Sequence, residues 1–162
     1  MKHEILTLNG EKIIIPRAES YTDCVTLIQS DYFRLNGEIK SSFFRLFFLT
    51  LYSSSWAYSF WLRIASYRKG FLWPFARLVL FIFAEHTHVH ISYKSKIGYG
   101  LYIGHGIDMI VNPNVVIGNN VNLSQFLNIG SSTREAAKIG NNVYIGPHCC
   151  VVGDVVIVRM LP

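Results

Sequence analysis

Histidine and cysteine supply the chemically capable side chains of this 162-residue chain, and their spacing narrows what each could do. His86, His88 and His90 alternate in HTHVH, so on a strand they would face one side, as the ligands of a zinc or copper ion do. HTHVH itself holds no carboxylate or thiol to complete such a set, and the reading adopted is a polar junction with no metal. Cys24, Cys149 and Cys150 show no CxxC spacing, and sequence neighbours are poorly placed to bridge each other, which excludes a zinc ribbon and a disulfide scaffold. One of the two vicinal thiols is expected to pack inward and the other to point outward, with no catalytic role. His105, in IGHGIDM, is by itself an ordinary surface histidine on a turn. What raises it above that is the repeat in which it stands.

From residue 91 the chain keeps a six-residue beat. Ile91, Ile97 and Ile103 fall on it, then Val111, Ile117, Leu123 and Ile129, then Ile139, Ile145, Val151 and Ile157. A second small or aliphatic residue stands two positions before most of them, and glycine commonly follows. A helix cannot keep one face buried at period six, and a flat sheet alternates at period two. Short strands that turn a corner every six residues satisfy the pattern, because each side of a triangular coil then points one aliphatic residue at the axis. Three hexads make a turn of about 18 residues, so residues 89–160 supply roughly four turns of parallel β-helix. The phase slips twice, by two residues at HGIDM and by four at SSTREAAK. Departures from a rigid repeat become loops on the scaffold, where sites gather, and the first contains His105.

The N-terminal half reads differently. Asn9-Gly10 between apolar runs predicts a hairpin over 5–15, ended by Pro16. A short helix is expected from Ser20 to Phe33, with Thr22 or Asp23 as N-cap and Asn36-Gly37 as its break. Further helices are expected over 40–52, 55–69 and 74–85. The chain thus divides into a hairpin plus α-helical module, 1–85, and a β-helix domain, 86–162.

Charge follows the same division. Residues 40–84 hold Lys40, Arg45, Arg63, Arg68, Lys69 and Arg77 with no acid, so the net charge of +5 originates there. Of 23 aromatic residues, 18 precede residue 90, in runs with isolated arginines rather than in a dense basic groove, which argues against nucleic acid. Two readings of 40–84 remain: a helical core whose arginines snorkel to solvent, and peripheral contact with an anionic membrane surface. No run offers the roughly 18 strongly apolar residues of a spanning helix, and MKHEILTLNGEK lacks a signal peptide's apolar run. The expectation is a cytoplasmic protein, with the inner face of the membrane as its one alternative site.

Several sequence words carry a resemblance: KIGYGLYIGHG at 96–106, VVIGNNVNLSQ at 115–125, LNIGSS at 127–132 and KIGNNVYIGP at 138–147. With them, residues 78–157 resemble the serine O-acetyltransferase family of hexapeptide-repeat acyltransferases, which has relatives that acetylate sugars in polysaccharide biosynthesis. FWLRIASYRKG at 60–70 is similar to the end of that family's helical domain. The resemblance implies a left-handed parallel β-helix behind an N-terminal α-helical module. It implies direct transfer from acetyl-CoA, a co-substrate rather than a bound cofactor, to an acceptor hydroxyl. His105 falls in the family's general-base position, a task suited to an imidazole. The family's orienting Asp, fifteen residues upstream, is replaced here by His90, and Asp108 is a candidate substitute. Asp31, in IQSDYF, matches an acceptor-binding position, and Gly130, Ser131, Gly146 and Pro147 would line the acetyl-CoA channel.

The same alignment puts Gly104 where the family has Asp, and Glu135-Ala136 where it has Arg-His. Those groups hold the amino acid acceptor, so their loss points from L-serine in cysteine biosynthesis toward a sugar or another small neutral acceptor. A homotrimer, or a dimer of trimers, with sites between subunits is also implied. Because the beat stops at Ile157, the β-helix is expected to be C-terminally truncated. The alternative to an active transferase is therefore a truncated, catalytically impaired trimeric β-helix protein, and a metal-binding β-helix comes after it.

Overall fold

The computed structural model describes residues 1–38 and 42–159. Lys40 and the start of the expected 40–52 helix, and the chain's last three residues, lie outside the described residues.

The hairpin forms where Asn9-Gly10 predicts it. β1 (Lys2–Leu8) and β2 (Glu11–Arg17) pair antiparallel around Asn9 and Gly10, whose φ angles of 48° and 85° make a turn of the primed kind. Pro16 does not end the hairpin but sits inside β2, opposite His3. Counting by alternation from the Leu8–Glu11 pair that closes the turn, His3–Pro16 is a non-hydrogen-bonded pair, so the missing N–H would face away from β1 and breaks no ladder bond.

α1 (Tyr21–Asn36) starts within one residue of the expected position and runs three residues past Phe33. Ser20, not Thr22 or Asp23, is the N-cap: its Oγ accepts the Asp23 N–H at 3.2 Å, while the Asp23 carboxylate accepts the Glu19 N–H at 2.8 Å. Gly37, at φ 71°, closes the helix. α2 (Phe43–Leu49), α3 (Ser54–Ser66) and α4 (Trp73–Thr87) follow. α3 is buried nearly all round and is the axle of the module, with α1 and α4 packed against it. α4 runs past Glu85. His86 is in its last turn, and His88, at φ 53°, caps it by donating its N–H to Ala84 O.

The rest is a solenoid of short parallel strands on three sides. One side stacks β3 (Val89–Ile91), β6 (Met109–Val111), β9 (Asn128–Gly130) and β12 (Cys150–Val152). The second stacks β4 (Lys96–Ile97), β7 (Val116–Ile117), β10 (Lys138–Ile139) and β13 (Val156–Ile157). The third stacks β5 (Tyr102–Ile103), β8 (Asn122–Leu123) and β11 (Tyr144–Ile145). Three turns are complete and two sides of a fourth are present. The beat residues from Ile91 to Ile145 all point into the axis and are buried. Register confirms the two slips: Val89 pairs with Met109, Ile110 with Asn128 and Asn128 with Cys150, offsets of 20, 18 and 22 residues. The excess of two and of four leaves the coil at corners, as the sequence places it.

Corners are held by a column of stacked amides. Asn119 Nδ2 donates to Asn141 Oδ1 at 2.8 Å, and Asn119 Oδ1 accepts the Tyr99 N–H at 2.9 Å. Where Gly98, Gly118 and Gly140 stack, the coils approach so closely that a Cβ on Gly118 would lie 2.5 Å from Gly140 O. The hairpin covers the second side: Leu8, Ile13 and Ile15 pack on the outward side chain of Val116. Among the described residues, no helix is long and apolar enough to cross a membrane.

Candidate active site

His105 follows β5 at the corner leading to β6, in the loop created by the first slip. Three elements pin that loop's backbone. Gly106 N–H donates to Ser55 Oγ in the first turn of α3 at 2.7 Å, Asp108 N–H donates to Thr87 O at the end of α4 at 2.8 Å, and Ile107 O accepts the Phe126 N–H of the next coil at 3.2 Å. His105 and Asp108 both take left-handed backbone, at φ 51° and 48°, a conformation uncommon for side chains other than glycine. The backbone is therefore fixed while the imidazole is exposed and, among the described residues, hydrogen-bonded to nothing. It opens on a cavity of about 230 Å³ walled by Asp31, Ser53, Ser55, Trp56, Ser59 and Tyr102.

Asp31 is in this wall but its carboxylate is fully engaged. Oδ1 accepts from Arg63 Nη2 and from the Leu101 N–H, and Oδ2 accepts from Arg63 Nε and Ser59 Oγ, all at 2.8 Å. Arg63 Nη2 donates in addition to Gly98 O at 2.7 Å. The pair ties α1, α3 and the first coil together at one point, with side chains 4% and 1% exposed. Arg63 is thus the exception to the expected snorkelling: it is buried in a two-toothed ion pair. Arg63 and Ser59 were not anticipated, although a lone arginine amid FWL and IA is itself a signal, since a buried guanidinium requires a carboxylate.

The other anticipated residues are spread along the solenoid. His90 is exposed on β3 beside Ile110, and Asp108 lies three residues beyond His105; among the described residues neither hydrogen-bonds to the His105 ring. Asp108, Phe126 and His148 occupy equivalent positions in successive coils, each with positive φ, and the Phe126 and His148 rings stack with centroids 4.6 Å apart. His148, which the sequence reading passed over, extends the His105 edge upward. Gly146 and Pro147 are on this same edge, before β12, whereas Gly130 ends β9 and Ser131 follows it at the next corner. In a single chain these four line two separate corners. Ser131 Oγ donates to the Glu135 backbone carbonyl and accepts the Thr133 N–H, which orders the second slip into a compact loop.

The alternating histidines do not share a strand. His86 is helical, His88 is the cap and only His90 is on β3, so the geometry a metal would need is not formed. Among the described residues, no cluster of three His, Cys, Asp or Glu side chains could hold an ion. Cys24 is buried, which pushes its thiol up to about 12, and Cys149 and Cys150 are half-buried and exposed in turn.

No family model matches the chain. It is 33% identical over 84 residues to a serine acetyltransferase of Staphylococcus aureus, a match covering 49% of this chain and 39% of that protein. Its fold matches serine acetyltransferase isoform 3 of Entamoeba histolytica, solved with cysteine, with a TM-score of 0.66 at 22% identity, over 85% of this chain and 51% of that one. It also matches the Neisseria gonorrhoeae serine acetyltransferase, solved with serine, with a TM-score of 0.65 at 20% identity, over 84% of this chain and 64% of that one. The chain spans about two fifths of the length of the curated relatives it matches, 39% for the Staphylococcus aureus protein. The resemblance to serine O-acetyltransferases thus extends from sequence words to architecture: a helical module followed by a hexapeptide-repeat solenoid.

Proposed function

We propose that this chain carries the catalytic part of an acetyl-CoA-dependent O-acetyltransferase, with His105 as general base. The observation that carries the proposal is a histidine ring that, among the described residues, makes no hydrogen bond, on a pinned corner of a solenoid shared with serine acetyltransferases, at the mouth of a hydroxyl-lined cavity. The acceptor O–H passes its proton to the imidazole as its oxygen bonds to the thioester carbonyl carbon. The tetrahedral oxyanion, stabilised by backbone N–H groups at the corners, then collapses, the C–S bond breaks, and the imidazolium returns the proton to the CoA sulfur. Asp108, three residues beyond His105, and His90, at the position of the family's orienting Asp, are the candidates to orient the ring, and Asp31 serves the acceptor indirectly, by holding the cavity wall through Arg63.

The acceptor we infer is a neutral hydroxyl, such as that of a sugar in surface-polysaccharide biosynthesis, rather than L-serine in cysteine biosynthesis. Among the described residues, Asp31 is the one carboxylate or cation on the cavity wall besides the imidazole, and its oxygens are taken. Among the described residues no cation is left there for a carboxylate and no free anion for an ammonium group, while Ser53, Ser55 and Tyr102 offer hydroxyls. Gly130 and Ser131 of one chain would meet Gly146 and Pro147 of another across an acetyl-CoA channel, which is the reason to propose a homotrimer, alone or paired into a dimer of trimers. Feeding the purified protein acetyl-CoA with L-serine or with a panel of glycans, and following CoA release, tests both levels. Efficient turnover of serine would refute the neutral acceptor, and no release with any acceptor would refute the transfer.

A peripheral membrane contact fits the same reading. Phe44, Phe48, Phe71, Phe75 and Phe81 are exposed on or beside α2 and α4, and residues 42–84 add Arg45, Arg68, Lys69 and Arg77 with no acid. Sedimentation with anionic vesicles, and its loss on replacing Phe71 and Phe75 by Ser, is the expected outcome; equal sedimentation of both proteins would refute it.

A further inference from the structure

A second and larger cavity, of about 610 Å³, lies between the hairpin, the end of α3 and the first coil. Its size is that of a small-molecule site. Six exposed or half-exposed cations converge on it from separate segments: Lys2 of β1, Arg17 of β2, Arg68 and Lys69 of the turn after α3, and Lys94 and Lys96 of the first coil. Among the described residues Glu19 is the one acid on the wall, and Lys2 takes it at 3.1 Å. Glu4 answers both Arg17, at 2.6 Å, and Lys96. Arg68, Lys69 and Lys94 are left with no carboxylate partner among the described residues. Three like charges facing one concavity raise a positive potential that an anion would relieve, and low-dielectric walls focus it. Tyr67 and Tyr93 supply aromatic wall on which a ring can lie, with Lys94 poised 5.9 Å above the Tyr93 ring.

We propose that this cavity binds a phosphate or diphosphate ester, its phosphate oxygens held by Arg68, Lys69 and Lys94 and its organic part lying against the tyrosines. A phosphate monoester carries about two negative charges near neutrality, which matches the uncompensated cations better than a lone carboxylate does. Arginine and lysine divide the work: the guanidinium of Arg68 offers a planar fork to two oxygens and the ammonium groups act as point charges. The site is separate from the His105 cavity. Arg63 faces the basic cavity, its partner Asp31 faces the other, and the ion pair is the partition between them. The inference therefore does not rest on acetyl transfer, and its test reads binding alone.

Calorimetric titration of the full chain with inorganic pyrophosphate should give saturable binding that weakens as salt is raised. The double variant Arg68→Glu, Lys94→Glu, at two exposed positions in turns, should lose at least about tenfold in affinity, since each contact removed is a hydrogen bond to a charged group. Lys12→Glu, exposed on β2 outside the cavity, should leave affinity unchanged, and circular dichroism with the milder Arg68→Gln guards against misfolding. Vesicles of phosphatidylcholine with and without phosphatidic acid separate a lipid headgroup from a soluble ester. Binding of acidic vesicles that the double variant loses assigns the phosphate to lipid; binding of pyrophosphate alone assigns it to a soluble molecule. Absence of both, or any binding that the double variant retains in full, overturns the proposal.

Discussion

At the scale of single residues, two side chains separate the proposed chemistry from its support. His105→Ala should lower kcat by about 10²–10⁴-fold while leaving acetyl-CoA affinity nearly unchanged, as steady-state kinetics alongside calorimetry would show. Asp31 belongs to the other kind. Asp31→Ala leaves the Arg63 guanidinium buried and unpaired, and should cost about 3–5 kcal/mol in denaturant unfolding. The double change Asp31→Leu, Arg63→Met should recover most of that loss, because an apolar pair replaces the whole charge set. His105 stands out in the sequence because it coincides with a break in a rigid period, and the slip that places it on a corner loop is present in the register. The Asp31–Arg63 pairing does not stand out in this way, since its partners are 32 residues apart on two helices with no motif linking them. Asp31 was picked out by resemblance as a binding residue, and only the four donors around it show a carboxylate already in use.

Among the elements, the coils were the most readable and the docking of the hairpin the least. A coil's interior needs one inward residue per side, so its pattern is complete within a few residues of sequence, and the slips fell where register places them. The glycines carry a sharper consequence. Gly118→Ala would press a methyl group against the Gly140 carbonyl, and should destabilise by about 1–3 kcal/mol, a fall in Tm of several degrees. Gly146→Ala meets nothing closer than 3.9 Å and should keep its Tm, so that any weakening of acetyl-CoA binding in that variant reports on the channel. For the hairpin, sequence gave the turn and missed the docking, because Val116 points outward from its coil and reads as solvent-facing until Leu8, Ile13 and Ile15 are laid on it. Hydrogen bonding from Lys96 first, and from Arg17, holds the Glu4 carboxyl below the usual carboxylate range despite partial desolvation. A depressed folded pKa means stabilisation present above the unfolded value and lost as pH falls through the folded one. The protection factors of the Ile13 and Ile15 amides, each taken against the intrinsic exchange rate at the same pH, should therefore fall in that acid window, and Glu4→Gln should show the lower factors even at neutral pH.

For the whole molecule, the three sides of the solenoid are unequally dressed. The hairpin covers part of one, α1 and α3 lie against β5 on another, and the side of β3, β6, β9 and β12 presents His90, Ile110, Asn128 and Cys150 to solvent. That open side is where a second copy would pack in the proposed trimer. Sedimentation velocity should show a trimer that Ile110→Arg converts to monomer, and a wild-type chain that stays monomeric at every concentration would remove the proposal. The hairpin's attachment also orders events in time. Glu11 accepts a hydrogen bond from Asn141, 130 residues further on. With synthesis at about 5–20 residues per second, a hairpin leaving the ribosome waits on the order of ten seconds for the coil that receives it. A lone two-stranded hairpin is marginal in water. During that interval its apolar side is a bare surface for chaperones or for neighbouring nascent chains, so an element synthesised early is among the last to become native.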